Sequence, residues 1–152
     1  MVTYEYISLE DVLFKVCSQA KKGIGYMGRK IPSHITTAQQ LFIYLSSNTS
    51  YRDDPPGAEL IQSPESLFKN NYWGVPGMGD CDCFTVLSIA AALAIGFPIK
   101  SLEIVLAGNT RNTPKHIYLT IDGKPFDLTN AFFNTERNYP FLQHIPVSKL
   151  WR

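Results

Sequence analysis

Between Cys83 and Ile95 the chain reads CFTVLSIAAALAI, and Phe84, Val86, Leu87, Ile89, Ala90, Leu93 and Ile95 fall on every side of a helix. A helix that is apolar all round cannot lie on a surface, so the rest of the chain has to wrap it. Gly96 and Pro98 end it, and a glycine-rich approach, GMGD, leads into it. Its first turn holds Cys81, Asp82 and Cys83. A thiol there feels the positive end of the helix dipole, which favours the reactive thiolate, and the backbone N–H groups of the same turn can receive an oxyanion. Asp80 or Asp82 can equally well cap the helix, with the cysteines as packing.

What wraps this helix is bounded by the rest of the 152-residue sequence. At 45% hydrophobic and 18% charged it has the make-up of one globular domain spanning 1–152. A formal charge of +1, with the basic residues scattered, argues against a nucleic-acid or membrane-surface binder. The start, MVTYEYISLEDVLF, has no basic segment followed by an apolar run, and no apolar stretch reaches membrane-spanning length. Three cysteines do not suggest a disulfide framework. The expectation is a cytoplasmic protein.

The first half reads as helical. Ser8 with Asp11 resembles a capping box, and Leu9, Val12, Leu13, Val16, Cys17 and Ala20 form a stripe that stops before Gly23. Cys17 on that stripe is expected to be buried and inert. A second helix is expected from Thr36 or Thr37 to about Leu45, and a short one from Pro64 behind Ser63. Residues 23–34 and 47–59 carry loop chemistry. The second half turns to strands at 102–108, 116–121 and 125–129. Asp122-Gly123 is a two-residue hairpin signal, and it sets Ile121 opposite Lys124 and Leu119 opposite Phe126. Ile117, Leu119, Ile121, Phe126 and Leu128 then share one face, while His116, Tyr118, Thr120, Asp127 and Thr129 share the other. His116 and Asp127 become diagonal neighbours with backbones about 7–8 Å apart, a gap side chains bridge.

A thiol, an imidazole and a carboxylate are the parts of nucleophilic acyl transfer. GDCDCFTVLSIAAALAIGFP, a strand with His116 at its start and a following strand with FDLT together resemble the transglutaminase-like branch of the papain-like cysteine enzymes, of the small bacterial and phage type. The resemblance covers roughly residues 36–130 and departs at Cys83, where the pattern usually has a second Asp. It implies an α+β fold, with N-terminal helices and a buried central helix packed on a C-terminal antiparallel sheet. It implies Cys81 as nucleophile, His116 as base and Asp127 as the group that orients the imidazole, acting on an amide of a peptide or protein, either by hydrolysis or by transfer of the acyl group to an amine; no cofactor and no metal are expected. A phage source would imply association with the virion.

The backbone N–H of Cys81 is the natural first oxyanion donor. Trp73 is a candidate for substrate binding or simply for packing, and Tyr118 for lining the groove or covering it. The helix is expected to lie on the polar face of the hairpin, with its N-terminus at His116. Two rivals stay open. Cys81, Cys83 and His116, with Asp80, could ligate zinc, although Cys-x-Cys at a helix start points its thiols apart. Alternatively, the fold could serve as a non-catalytic interaction or assembly module.

Overall fold

The computed structural model describes residues 2–3, 8–55 and 58–152. In chain order the elements are β1 (Val2–Thr3), α1 (Leu9–Lys30), α2 (Ala38–Ser47), β2 (Ser50–Tyr51), β3 (Ala58–Glu59), α3 (Pro64–Lys69), β4 (Met78–Gly79) and α4 (Cys81–Ala94). A 3₁₀ turn at Ile99–Ser101 then leads to β5 (Leu102–Thr110), β6 (Thr113–Ile121), β7 (Lys124–Phe126), β8 (Phe141–Pro146) and α5 (Val147–Leu150). The last four strands form an antiparallel sheet in the order β7-β6-β5-β8.

The central helix is as enclosed as its sequence demands. Every residue of α4 from Cys83 to Ala92 is buried. On one side it meets α1, whose buried stripe runs Val12, Leu13, Val16, Cys17, Ala20, Gly23 and Met27. On the other it meets the apolar face of the sheet, with Leu102, Ile104, Leu119, Ile121 and Phe126 at 0–1% exposure. This corrects the expectation that α4 would pack on the polar face of the hairpin. A helix without a polar side gains most by covering Ile117, Leu119 and Phe126 rather than His116 and Thr120.

Three further boundaries differ from the sequence reading. Residues 23–30, read as loop, continue α1 to Lys30. Gly23 belongs inside the helix because a Cβ there would meet Pro64 Cγ at 2.2 Å, so its smallness lets α1 and the head of α3 touch. The stripe then simply continues to Met27, and the burial outweighs the helix cost of glycine, about 1 kcal/mol. Secondly, β6 starts at Thr113 and not at His116, and its pairing with β5 skips Lys115, a bulge between Ala107–His116 and Gly108–Pro114. Thirdly, β7 ends at Phe126, so Asp127 lies just beyond it. β8 and α5 were not foreseen. Positions 56–57 of the expected 47–59 loop lie outside the described residues.

Other expectations match the structure. Ser8 caps α1, Thr37 and Gln40 form a full capping box on α2, and Ser63 caps α3 behind Pro64. Asp122 and Gly123 have φ of 52° and 78°, the paired positive values of the expected tight turn. Leu119 pairs with Phe126 and Ile121 with Lys124.

Candidate functional site

Asp80 caps α4, its carboxylate accepting from the Cys83 N–H at 3.4 Å, and the helical ladder opens with Phe84 N–H donating to Asp80 C=O. Cys81 therefore heads the helix, half-buried. Thr85, one turn on, donates to Cys81 C=O at 2.8 Å and reaches Ile117 C=O at 3.4 Å, which ties the helix start to β6 beside His116. Cys81 and His116 line one cleft of about 240 Å³, together with Tyr51, Asp53, Asp54, Asp80 and Asp82 on the helix side and Leu106, Pro114 and Lys115 on the sheet side. His116 flanks the bulge at Lys115, at the end of β6 that borders the cleft. Bulges commonly re-aim a side chain next to a site in this way.

Behind the cleft, His116 Nε2 and Asp127 Oδ2 lie 2.6 Å apart, at 7% and 4% exposure. Two residues past Asp127, Thr129 donates to Oδ1 through both its N–H and its hydroxyl, at 3.0 and 2.7 Å. Burial alone would raise the Asp127 carboxyl, but these donors and His116 outweigh it and hold the carboxyl below its ordinary value. An ionised Asp127 keeps the imidazole proton on Nε2 and leaves the Nδ1 lone pair for another partner. The ring is also held between aromatic planes: Tyr118 stacks at 5.5 Å and 29°, and Tyr139 at 6.2 Å and 25°.

Two candidate substrate contacts fall elsewhere. Tyr118 is 2% exposed, does not line the cleft, and donates its hydroxyl to Glu136 at 2.5 Å. It backs the imidazole and anchors the segment that carries Tyr139, which is why the hairpin's second face is buried and not groove-like. Trp73 also lies outside the cleft; the Arg52 guanidinium sits 4.0 Å from its ring centre and Tyr72 packs on it edge-on. Its indole N–H is buried without a partner among the described residues.

The two thiols of the CDC stretch have opposite surroundings. Cys83 is 1% exposed, with its sulfur 2.8 Å from Leu60 C=O, and burial first and then the Asp80 charge push its pKa far up. Cys17 is 2% exposed, and burial pushes its pKa up to about 11. Neither presents a thiolate to solvent. Native protein treated with iodoacetamide is therefore expected to leave Cys17 and Cys83 unmodified until it is unfolded in guanidinium, as read by peptide mass mapping; prompt labelling of either in the native state would contradict these environments. Among the described residues Cys81, Cys83, His116 and Asp80 do not form a cluster of ligand atoms, so the zinc set considered from sequence is not assembled.

One feature was missed by the sequence reading. Ser50 and Tyr51 pair in parallel with Met78 and Gly79, and Arg52 N–H donates to Gly79 C=O at 2.8 Å, which draws the SYRDD stretch alongside the head of α4. Asp54, Asp80 and Asp82 there bring carboxylate oxygens within 4.8 Å of one another. Burial, then the charges of Asp82 and Asp54, push Asp80 up to about 8. Gly77 makes the approach possible: it has φ +81°, and a Cβ would meet Asn48 C=O at 2.1 Å. Gly77→Ala is expected to cost about 2 kcal/mol or more by chemical denaturation and to loosen the acidic cluster; a loss within experimental error would show that the approach tolerates a side chain. Only a long-range pairing assembles this cluster, so no local motif announces it.

No family model and no curated protein matches the chain. Solved structures do. The calcium-bound form of Legionella pneumophila LapG superposes with a TM-score of 0.53 at 19% identity, over 87% of this chain and 81% of LapG. The chain has a transglutaminase-like α+β fold. Two other LapG structures, one of them EGTA-treated, give TM-scores of 0.48 at 21% identity, each covering 91% of this chain. Among the described residues no helix is long and apolar enough to cross a membrane.

Proposed function

We propose that this chain cleaves amide bonds in a peptide or protein by thiol-dependent acyl transfer, with Cys81 as nucleophile, His116 as base and Asp127 as the residue that orients the base. The observation that carries the reading is the buried 2.6 Å His116–Asp127 pair, set behind a cleft that also holds the helix-heading Cys81. His116 Nδ1 takes the thiol proton, and the sulfur bonds to the substrate carbonyl carbon. The carbonyl oxygen gathers negative charge facing the start of α4, where the Cys81 N–H and the helix dipole favour it. The tetrahedral adduct collapses as His116 returns the proton to the departing amine, which leaves a thioester on Cys81. Water, deprotonated by His116, then attacks the thioester and releases the acid.

The acidic cluster is read as a calcium site, by likeness to the calcium-bound LapG structure. Asp54, Asp80 and Asp82 fit such an ion. They offer hard carboxylate oxygens within 4.8 Å of one another, and the charges of Asp82 and Asp54 add to burial in pushing Asp80 up, a crowding that a divalent cation would relieve. These three residues would hold it. The ion would neutralise the carboxylates flanking Cys81 and fasten the segment after β2 to the head of α4. Calcium at about a hundred times its dissociation constant is expected to stabilise the fold by about 2.7 kcal/mol, and Asp80→Ala to abolish that gain. Calorimetry with calcium and with EGTA checks this, and a melting temperature indifferent to both would remove calcium from the reading.

The function itself is tested by incubating the protein with a peptide library and identifying products and any acyl-enzyme by mass spectrometry. Products that require Cys81 are expected. A correctly folded protein that gives none with calcium present would leave the non-catalytic module as the better reading.

A further inference from the structure

The sheet continues past the head of α4. On the face that α4 covers, residues of β5 and its neighbours follow in register: Ile104 pairs with Ile145, Leu106 with Gln143 and Gly108 with Phe141. Exposure rises along that line, from 0% at Ile104 and 6% at Leu106 to 46% at Phe141, so the apolar face emerges from under the helix at its end. A second hollow of about 350 Å³ opens there, with Gly108 in its wall and Thr110, Arg111, Phe141 and Leu142 around it. It shares Leu106 and Pro114 with the Cys81–His116 cleft, so the two hollows adjoin.

Three features of this extension select an occupant. Gly108, itself buried, adds no side chain to the hollow, and its Cβ position is closed by Thr113 C=O at 2.6 Å. Phe141 and Leu142, at 46% and 40% exposure, offer apolar surface that nothing among the described residues covers. Among the described residues that line the hollow, Arg111 alone carries a charge.

We propose that this hollow is a specificity subsite that takes an extended peptide segment leading away from the scissile bond, with an apolar side chain against Phe141 and an aspartate or glutamate beside Arg111. The subsite rests on the proposed function for its role, but its preference for acidic peptides is a binding property. Arg111 selects the acidic residue by charge complementarity at this end of the segment. Arg111 is exposed, so its ion pair contributes on the scale of a rim contact and governs selection more than affinity.

The test uses the full-length chain as Cys81→Ala, so that no bound peptide is cleaved, immobilised and offered an equimolar library of decapeptides with calcium present. Retained peptides are sequenced by mass spectrometry. Acidic residues are expected to be enriched about fivefold at one position next to an apolar one. In the double variant with Arg111→Glu the acidic enrichment should give way to lysine and arginine, and Phe141→Ser should abolish the apolar preference. Both substituted side chains are exposed, so the fold is expected to survive, and circular dichroism verifies it. Retention patterns that are the same with Arg111 and with Glu at that position overturn the subsite. Wild-type protein that cleaves nothing yet selects acidic peptides through Arg111 overturns the catalytic reading and leaves the subsite standing; active protein whose selection ignores Arg111 does the reverse.

Discussion

Cys81→Ala is expected to lower amide cleavage by at least about four orders of magnitude, while Cys83→Ala leaves turnover nearly intact and lowers stability instead. The sequence distinguishes these thiols only through the Gly-Asp-Cys spacing, but their surroundings separate them physically. Cys81 lines the cleft with His116, and removing a nucleophile from a cooperating set costs about as much as removing the set. Cys83 packs in the core against Leu60 C=O and Gly79, so alanine there leaves a small cavity worth about 1 kcal/mol. Assays of both variants on any substrate found by the library screen, with urea denaturation of each, check the pair. Comparable loss of turnover in two folded variants would count against Cys81 as the sole nucleophile.

Asp127→Asn is expected to lower kcat by about 10³–10⁴-fold with little change in KM, because the amide no longer enforces the tautomer that leaves Nδ1 free to act as base. The substitution also changes the acid limb of stability. Asp127 has its folded pKa held down by His116 and Thr129 against the opposing effect of burial. Its contribution is therefore fully present above the unfolded carboxyl value of about 3.9 and is lost as pH falls through the lower folded value. Wild-type stability should fall across that window more steeply than that of Asp127→Asn, as read by urea midpoints from pH 6 to pH 2. Parallel curves would mean that the His116–Asp127 pair does not stabilise the fold, and an unchanged kcat would remove Asp127 from the mechanism.

These two expectations draw on parts of the site that local sequence already specified. The Asp122-Gly123 turn fixes the register of β6 and β7 as far as Phe126, and Asp127 follows directly on that pairing to reach His116. The all-round apolar pattern of 83–95 made α4 central, and Asp80 ahead of it proved to be its cap. What local pattern did not carry was anything decided by contacts distant in sequence. Gly23 reads as a helix stop until Pro64 is seen resting on it. The polar strand face looked like the place for α4 until Tyr118, Glu136 and Tyr139 were found to close it off. Asp54 became part of the site only through the parallel bridge between residues 50–51 and 78–79. β8 has too few buried positions to show a strand period: Phe141 to His144 are all exposed.

His116, held by Asp127, is proposed to activate Cys81. The most direct measurement is the rate of iodoacetamide alkylation of Cys81 between pH 5 and pH 9, followed by intact mass in the wild-type chain and in His116→Ala. With calcium present, rapid single labelling at Cys81 is expected already at pH 6–7, and a His116→Ala profile shifted up to the ordinary thiol range near pH 8.5. Superimposable profiles in the two proteins, both rising only near pH 8.5, would contradict this activation.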